Sequence, residues 1–171
     1  MSLLEHEEGV PPETARQLQI ISFAMTSGLT LLAAAVAWFY AGSAGQVPDP
    51  KSVQAINTMT TTVMVLALGL IVASEFAWRS VLRQPAGTLG ARVQTAFIVR
   101  LAMREGAGLL GLVVAFLAAR NGVLRAYPAY WVGLVPYGLF LAFLATHWPT
   151  EERLAAEARE VLSENPSFLK K

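Results

Sequence analysis

Ionisable side chains that interrupt long apolar stretches are the feature of this sequence with the most chemical content. The stretch VQTAFIVRLAMREGAGLLGLVVAFLAAR contains Arg100, Arg104 and Glu105, and the preceding apolar stretch contains Glu75 near its end. If these stretches span a membrane, a charge at the bilayer centre costs at least about 2.5–3.5 kcal/mol on insertion scales. Such residues normally face the protein interior and find partners there, so these four form the candidate site.

Depth estimates place two of these charges close together. At 1.5 Å per residue, Arg100 lies about 10 Å inside a span that begins near Val93, and Glu75 lies about 6 Å from Arg79 at the end of its own span. A long Arg side chain can bridge that difference in depth. The first interpretation is therefore an intramembrane ionic cluster of Glu75, Arg79, Arg100 and Arg104 that fixes helix register, with Arg100 snorkelling to lipid headgroups as a variant.

Glu105 permits a second interpretation. It points about 100° away from Arg104 around the helix, lies about 18 Å inside the span and is set among small residues such as Gly106 and Gly108. A carboxyl group at that depth could take up and release protons or other ions. A third interpretation is a site for a lipid headgroup, a quinone or a pigment at Arg100 and Arg104.

Other reactive arrangements are missing from the sequence. There is no Cys, which excludes disulfides, thiolate metal sites and iron–sulfur clusters. The two His are His6 in the first tail and His147 at the end of the last apolar stretch, which argues against a haem held by two His. No metal-ligand cluster or phosphate loop stands out. The sequence therefore predicts no enzymatic activity, no catalytic residue, no metal and no cofactor.

Four apolar stretches must position the charged side chains, and they set the fold class. The 171-residue chain is 54% apolar and 15% charged, with a mean hydropathy of +0.48, whereas soluble domains are about 45–50% apolar and about 25% charged. A helix of ~20 apolar residues spans ~30 Å of hydrocarbon. We therefore predict an all-α integral membrane bundle of four transmembrane helices. The predicted spans are 18–40, 53–78, 93–119 and 130–148, the last with a kink at Pro136.

Polar segments flank the predicted transmembrane domain, which covers residues 18–148. Residues 1–17 form an N-terminal tail, and residues 149–171 form a short amphipathic helix and tail. Thr150 is the expected N-cap of this helix, and Asn165-Pro166 is expected to end it. Its apolar face packs on the bundle or the membrane surface, or docks a soluble partner. That face is formed by Leu154, Ala158, Val161 and Leu162.

Lys and Arg residues are distributed unevenly about the spans, and cytoplasmic loops are enriched in them. The side with both tails carries eight and the other side carries three, so both termini and the turn Arg83-Gln84-Pro85 are predicted to be cytoplasmic. The predicted location is the bacterial inner membrane, with multiple passes. The eight are Arg16, Arg79, Arg83, Arg92, Arg153, Arg159, Lys170 and Lys171, and the three are Lys51, Arg120 and Arg125.

The second and third spans resemble the ring-forming proteolipid (c) subunit of rotary ATPases. The likeness rests on the turn Arg83-Gln84-Pro85, on Ala102-Met103-Arg104-Glu105-Gly106 and on Leu110-Gly111-Leu112-Val113. In that family a polar turn of this kind precedes an Ala/Leu-rich helix with one essential Glu. The resemblance implies that Glu105 is an ion-binding carboxylate and that the turn at Arg83 faces a rotor stalk.

The chain also resembles small four-span bacterial membrane proteins whose third span reads Arg-Leu-Ala-x-x-Glu-Gly, matched here by residues 100–106. That group is one of unassigned function. This resemblance therefore implies a fold and a bacterial membrane location, and no activity.

These observations favour a non-enzymatic accessory or scaffolding subunit of a larger, energy-converting complex of the bacterial inner membrane, or a bundle that associates with itself. The expected partners are membrane lipids and other membrane protein subunits, and the net charge of +1 gives no reason to expect nucleic acid. The first alternative is a proteolipid-like protein that handles protons or sodium ions through Glu105. The second alternative is a lipid-, quinone- or pigment-binding membrane subunit.

Overall fold

The structure, a computed structural model, describes residues 10–85 and 87–163. All regular secondary structure in these ranges is helical, and four helical segments are long and apolar enough to cross a membrane. The all-α fold class and the four long apolar helices predicted from the sequence are confirmed. The helices are α1 (Pro12–Gly42), α2 (Pro50–Leu82), α3 (Leu89–Arg120), α4 (Val123–Ala126), a 3-10 helix (Pro128–Leu134), α5 (Val135–Thr146) and α6 (Glu151–Ser163).

Proline and short polar side chains mark where the long helices begin. Pro12 is the first residue of α1, where its missing N–H would have had no intrahelical partner. Asp49 caps α2, since its carboxylate accepts the backbone N–H of Ser52 at 3.3 Å. Thr88 caps α3 in the same way by accepting the backbone N–H of Ala91 at 3.3 Å. Local chemistry therefore fixes the start of each long helix.

Helix α3 is the centre of the bundle. It packs against α1, α2, α5 and the 3-10 helix and contributes more buried residues than any other helix. Its approach to the 3-10 helix depends on Gly111, because a Cβ at that position would overlap the carbonyl oxygen of Gly133 and lie 3.2 Å from Pro136 Cγ. Small residues at this crossing let the two backbones touch.

The outer faces of α1 and α2 are apolar and exposed. In each helix only 17% of the most apolar window is buried, compared with 44% in α3. Large side chains such as Phe23 and Leu31 on α1 and Phe76 on α2 are at least 70% exposed. Water-soluble monomers rarely expose contiguous apolar surface on this scale, whereas helices whose outer faces contact lipid do so.

The fourth apolar segment differs in detail from the sequence prediction of one helix over 130–148. It begins as the 3-10 helix at Pro128 and becomes the α-helix α5 at Val135. Pro136 explains the change, because its nitrogen cannot donate to the carbonyl of Val132 as an α-helix requires. The interruption thus falls where the sequence predicts a kink.

Helix α6 packs beside the start of α1 and the end of α2. Thr150 begins it as expected, since its hydroxyl accepts the backbone N–H of Arg153 at 3.4 Å. The predicted helix end at Asn165-Pro166 lies outside the described residues, as does His6. The buried face of α6 is formed by Leu154, Ala158 and Val161.

Candidate functional site

Arg100 of α3 and Glu75 of α2 form a bidentate ion pair inside the bundle. Arg100 Nε donates to Glu75 Oε1 at 3.0 Å, and Arg100 Nη2 donates to Glu75 Oε2 at 2.8 Å. The Arg100 side chain is 7% exposed and the Glu75 side chain 39% exposed. Two parallel charge-assisted bonds fix orientation as well as distance. This pair therefore sets the register of α2 against α3.

Arg104 joins the same carboxylate from the next turn of α3. Its Nη2 donates to Glu75 Oε1, and its Nε donates to Ser74 Oγ at 3.2 Å. The Ser74 hydroxyl in turn donates to the carbonyl oxygen of Ile71 at 2.6 Å. Arg100 and Arg104 are four residues apart and share one helix face, so a single carboxylate serves both guanidinium groups.

A second carboxylate reaches the cluster from α6, which the sequence analysis did not anticipate. Glu157 Oε2 accepts a hydrogen bond from Arg100 Nη1 at 2.9 Å, and the Glu157 side chain is 25% exposed. Two signals in the sequence pointed to it. Glu157 is three residues after Leu154 and four before Val161, hence on the apolar face of α6. The spans also hold two Arg near Glu75, which leaves one positive charge without a partner.

Aromatic rings cover both guanidinium groups. Arg100 Cζ lies 5.3 Å from the ring centroid of Trp78 and 4.8 Å from that of Phe143. Arg104 Cζ lies 4.2 Å from the Phe143 ring, and that ring also stacks on His147 at 4.8 Å between centroids. Cation–π contacts within ~6 Å are attractive and strengthen when water is excluded. The rings thus replace part of the hydration that the guanidinium groups lose.

Arg79, the fourth residue of the predicted ionic cluster, lies one turn beyond Glu75 on α2. It lines a cavity of about 170 Å³ together with Glu75, Arg100 and Glu157. Three of the four predicted residues are therefore joined by direct ion pairs, and the fourth borders the same cavity.

The turn Arg83-Gln84-Pro85 lies in the short loop between α2 and α3. Arg92, in the first turn of α3, holds this loop with one nitrogen. Its Nη1 donates to the carbonyl oxygen of Leu82 at 3.1 Å and to that of Gln84 at 2.9 Å. The loop is thereby tied to α3 at the same end of the bundle as α6 and the ionic cluster.

Glu105 lies apart from the ionic cluster. It forms no hydrogen bond or ion pair with any residue of the described ranges, and Arg104 turns away from it towards Glu75. Glu105 is half-buried at the middle of α3, about 24 Å from either helix end. It belongs to an open stripe of α3 whose other members include the exposed residues Ala102, Leu109 and Val113.

The Arg100 and Arg104 guanidinium groups contact two carboxylates, those of Glu75 and Glu157. Buried charges are tolerated when they are paired and hydrogen-bonded in this way. Within residues 10–85 and 87–163, no three His, Asp or Glu side chains group so that they could hold a metal ion. The arrangement can therefore hold α2, α3 and α6 together, and it leaves Glu105 as the one acidic group of the predicted site without a partner in the described residues.

Comparison with known proteins assigns the chain to no family. No protein-family model, curated protein or solved structure matches it. The resemblances to rotary ATPase proteolipids and to small four-span bacterial proteins stay predictions from the sequence. The function must be argued from the chemistry of the described residues.

Proposed function

We propose that the protein is a four-span integral membrane protein of the bacterial inner membrane that serves as a non-enzymatic accessory or scaffolding subunit of a larger membrane assembly. The four long apolar helices support membrane insertion. The observation that carries the subunit role is that the carboxylate of Glu105, at the middle of α3, has no partner among the described residues. A lone charge in hydrocarbon costs at least about 2.5–3.5 kcal/mol, so the bundle gains stability from a partner that pairs with Glu105.

The stripe around Glu105 fits a transmembrane helix that carries a hydrogen-bond donor or a cation at the same depth. Ala102 and Gly106 have small side chains near the carboxylate, which allows close helix approach. A second copy related by a two-fold axis would place two Glu105 carboxylates opposite each other. Like charges at short distance repel. A different protein with an Arg, Lys, Asn or Gln side chain at this level is therefore the better match.

Native mass spectrometry after extraction in mild detergent tests this proposal. We expect the wild-type chain to co-purify with a different membrane protein. Glu105→Gln should lower the co-purified fraction about tenfold, which corresponds to ~1.4 kcal/mol, because an amide pairs less strongly with a cation. The matched control is Glu152→Gln, which removes one exposed carboxylate from α6 and should leave the fraction unchanged.

Two results would contradict the proposal. One is an equal co-purified fraction for Glu105→Gln and the wild type. The other is a lone monomer, or an oligomer of this chain alone, recovered from native lipid.

A second candidate function is the transfer of protons or sodium ions through Glu105. It is favoured by the position of Arg104, which bonds to Glu75 and Ser74 and so leaves Glu105 without a fixed counter-charge. A carboxyl group in that setting is able to gain and lose an ion.

Ion transfer has its own test. Ion flux into proteoliposomes should then be abolished by Glu105→Gln and retained by Glu152→Gln. Dicyclohexylcarbodiimide, which modifies protonated carboxyl groups in apolar surroundings, should label Glu105. An unlabelled Glu105 together with equal flux for both variants would exclude this function without bearing on the subunit role.

A further inference from the structure

One side of α3 is left open between α1 and α2. Both of these helices pack against α3, but they hardly touch each other. Three residues of α3, Ala102, Leu109 and Val113, are exposed. They lie with Glu105 along one side of the helix, because these positions follow each other at intervals of three or four residues. This stripe is the floor of a groove along the bundle.

Contacts on either side of the stripe place the groove between α1 and α2. Gly106, next to Glu105, faces α2, since a Cβ at that position would lie 3.9 Å from Leu70 Cδ1. On the other side, Phe116 of α3 meets Phe39 of α1 edge-on, with 5.0 Å between ring centroids. Phe116 follows Glu105 by eleven residues, which is about three helical turns, so the two side chains point the same way. Helix α1 is therefore one wall of the groove and α2 is the other.

Gly28 is the residue of α1 that lies level with Glu105. Gln94 Nε2 of α3 donates to Gln17 Oε1 of α1 at 2.9 Å, and this contact lies eleven residues before Gly28 and Glu105 in the two helices. The aromatic contact lies eleven residues after both, so the level midway joins Gly28 and Glu105. Gly28 is exposed, and no atom lies within 4 Å of a Cβ added to it. The groove is therefore open beside the carboxylate.

The carboxylate of Glu105 lies too deep for a lipid headgroup to reach. Glu105 is at the middle of α3, which places it ~15 Å from either surface of a ~30 Å hydrocarbon layer when α3 is centred. Acyl chains carry neither a donor nor a charge. A partner for Glu105 has to bring a polar group to the bilayer centre, and a transmembrane helix does so while its own backbone stays hydrogen-bonded.

A counter-charge for Glu105 has to come from a different protein. The four predicted spans contain no Lys, and their only Arg residues are Arg100 and Arg104. Both of them bond to Glu75, so a second copy of this chain offers no free Lys or Arg at this depth. Charge-assisted hydrogen bonds are roughly twice as strong as neutral ones. A cation therefore stabilises the carboxylate better than the amide of Asn or Gln does.

We infer that the groove between α1 and α2 binds one transmembrane helix of a different protein, and that a Lys or Arg of this helix pairs with Glu105 beside Gly28. This assignment rests on the proposed function, and it adds the position of the partner helix and the charge of its pairing residue. The small residues Gly28 and Ala102 on either side of the carboxylate allow close helix approach. A helix in the groove contacts α1, α2 and α3 at once.

Synthetic transmembrane peptides test this inference with a defined partner. One peptide is a Leu/Ala helix of ~20 residues with a single Lys at its centre, and the reference peptide has Leu at that position. Binding to the full-length protein in phosphatidylcholine vesicles is measured by energy transfer from a dye on Val47→Cys to a dye on the peptide, because the chain has no other Cys. We expect the Lys peptide to bind at least tenfold more tightly than the Leu peptide.

Two substitutions block the groove without removing the carboxylate. Gly28→Trp and Ala102→Trp place an indole in the groove from exposed positions, and each should weaken binding of the Lys peptide at least tenfold. The matched control is Ala34→Trp, because Ala34 is exposed on α1 and points about 120° away from Gly28 and about 140° away from the buried Leu29. This variant should bind the Lys peptide like the wild type.

Equal binding of the Lys and Leu peptides to the wild type would overturn the inference. Binding of the Lys peptide that is lost in Glu105→Gln but kept in both groove variants would overturn it too, since the cation would then pair with Glu105 from outside the groove. The proposed subunit role fails on a different result, an unchanged co-purified fraction for Glu105→Gln in native membranes. The two failures can therefore be told apart.

Discussion

At the scale of single residues, Arg100 is held by side chains from several parts of the chain. Carboxylates of Glu75 and Glu157 bind it from two helices, and the rings of Trp78 and Phe143 cover its guanidinium plane. When apolar residues replace all members of a buried set of paired charges, the free energy of unfolding often stays the same or rises. Removal of one member is costly, however, because its partners stay buried with uncompensated charge.

Arg100→Leu is therefore expected to destabilise the bundle by about 2–3 kcal/mol, less than for a fully buried pair because Glu75 is partly exposed. The measurement is the free energy of unfolding in mixed micelles. The matched control is Arg120→Leu, which replaces an exposed Arg at the far end of α3 and should change stability little.

A double-mutant cycle separates the ion pair from other effects of the substitution. Glu75→Gln combined with Arg100→Gln should lose less stability than the sum of the two single variants, because each single variant loses the same bidentate ion pair and the double variant loses it only once. Strict additivity would show that the two side chains do not act together.

At the scale of helices, the crossing of α3 with the 3-10 helix depends on the absence of a side chain at Gly111. Gly111→Ala would bring a Cβ against the carbonyl oxygen of Gly133 and within 3.2 Å of Pro136 Cγ. We expect a loss of about 1–3 kcal/mol in the free energy of unfolding from this overpacking. Gly69→Ala is the control, since no atom lies within 4 Å of its added Cβ, and it should be neutral or slightly stabilising. Equal stability of the two variants would contradict the close approach.

Helix α6 is held to the bundle by its apolar face and by the ion pair between Glu157 and Arg100. Glu157→Gln should weaken this attachment by about 1 kcal/mol and speed amide hydrogen exchange in residues 151–163 roughly fivefold, with exchange in the interior of α3 unchanged. Glu160→Gln, which removes an exposed carboxylate from the same helix, should leave exchange as in the wild type. Unaltered exchange in Glu157→Gln would mean that the apolar face alone holds α6.

The long apolar helices are the parts of this fold that the sequence predicts best. Runs of ~20 apolar residues predict helices of spanning length, and counting residues along each run gives the depth of its side chains. That depth made the contact between Glu75 and Arg100 predictable although they lie 25 positions apart. The helix ends were less predictable. Helix α1 begins at Pro12, six residues before the predicted span of 18–40, because polar residues continue the helix beyond the apolar run.

Residue spacing places Glu157 on the apolar face of α6, but it does not assign the partner of Glu157 or of Arg104. Glu157 binds Arg100 across 57 positions, and the tail helix that contains it has no predicted depth to match. The partner of Arg104 depends on which carboxylate its side chain turns to. Sequence places Glu105 next to Arg104, whereas the structure pairs Arg104 with Glu75. Rotamer choice decided this outcome, and residue spacing alone cannot predict it.

At the scale of the whole molecule, the apolar outer faces support the proposal that the bundle is inserted in a membrane. The uneven distribution of Lys and Arg supports the proposal that both termini are cytoplasmic. The loop between α1 and α2 should then face away from the cytoplasm, and the loop between α2 and α3 should face it. Because the chain has no Cys, single introduced Cys residues report accessibility without background. Val47 is 92% exposed in the first of these loops, and Gln84 is exposed in the second.

A membrane-impermeant maleimide should therefore label Val47→Cys in spheroplasts, and it should label Gln84→Cys only after the membrane is disrupted. Glu13→Cys, near the start of α1, should behave like Gln84→Cys, because an odd number of spans separates each from Val47. The reverse pattern would mean that the bundle is inserted with the opposite orientation. Equal labelling of all three in spheroplasts, or a protein that stays monodisperse without any amphiphile, would mean that hydrocarbon is not the solvent of the four apolar segments. The pairing of Arg100 with Glu75 would then be a feature of a water-soluble core, and its position would no longer follow from membrane depth.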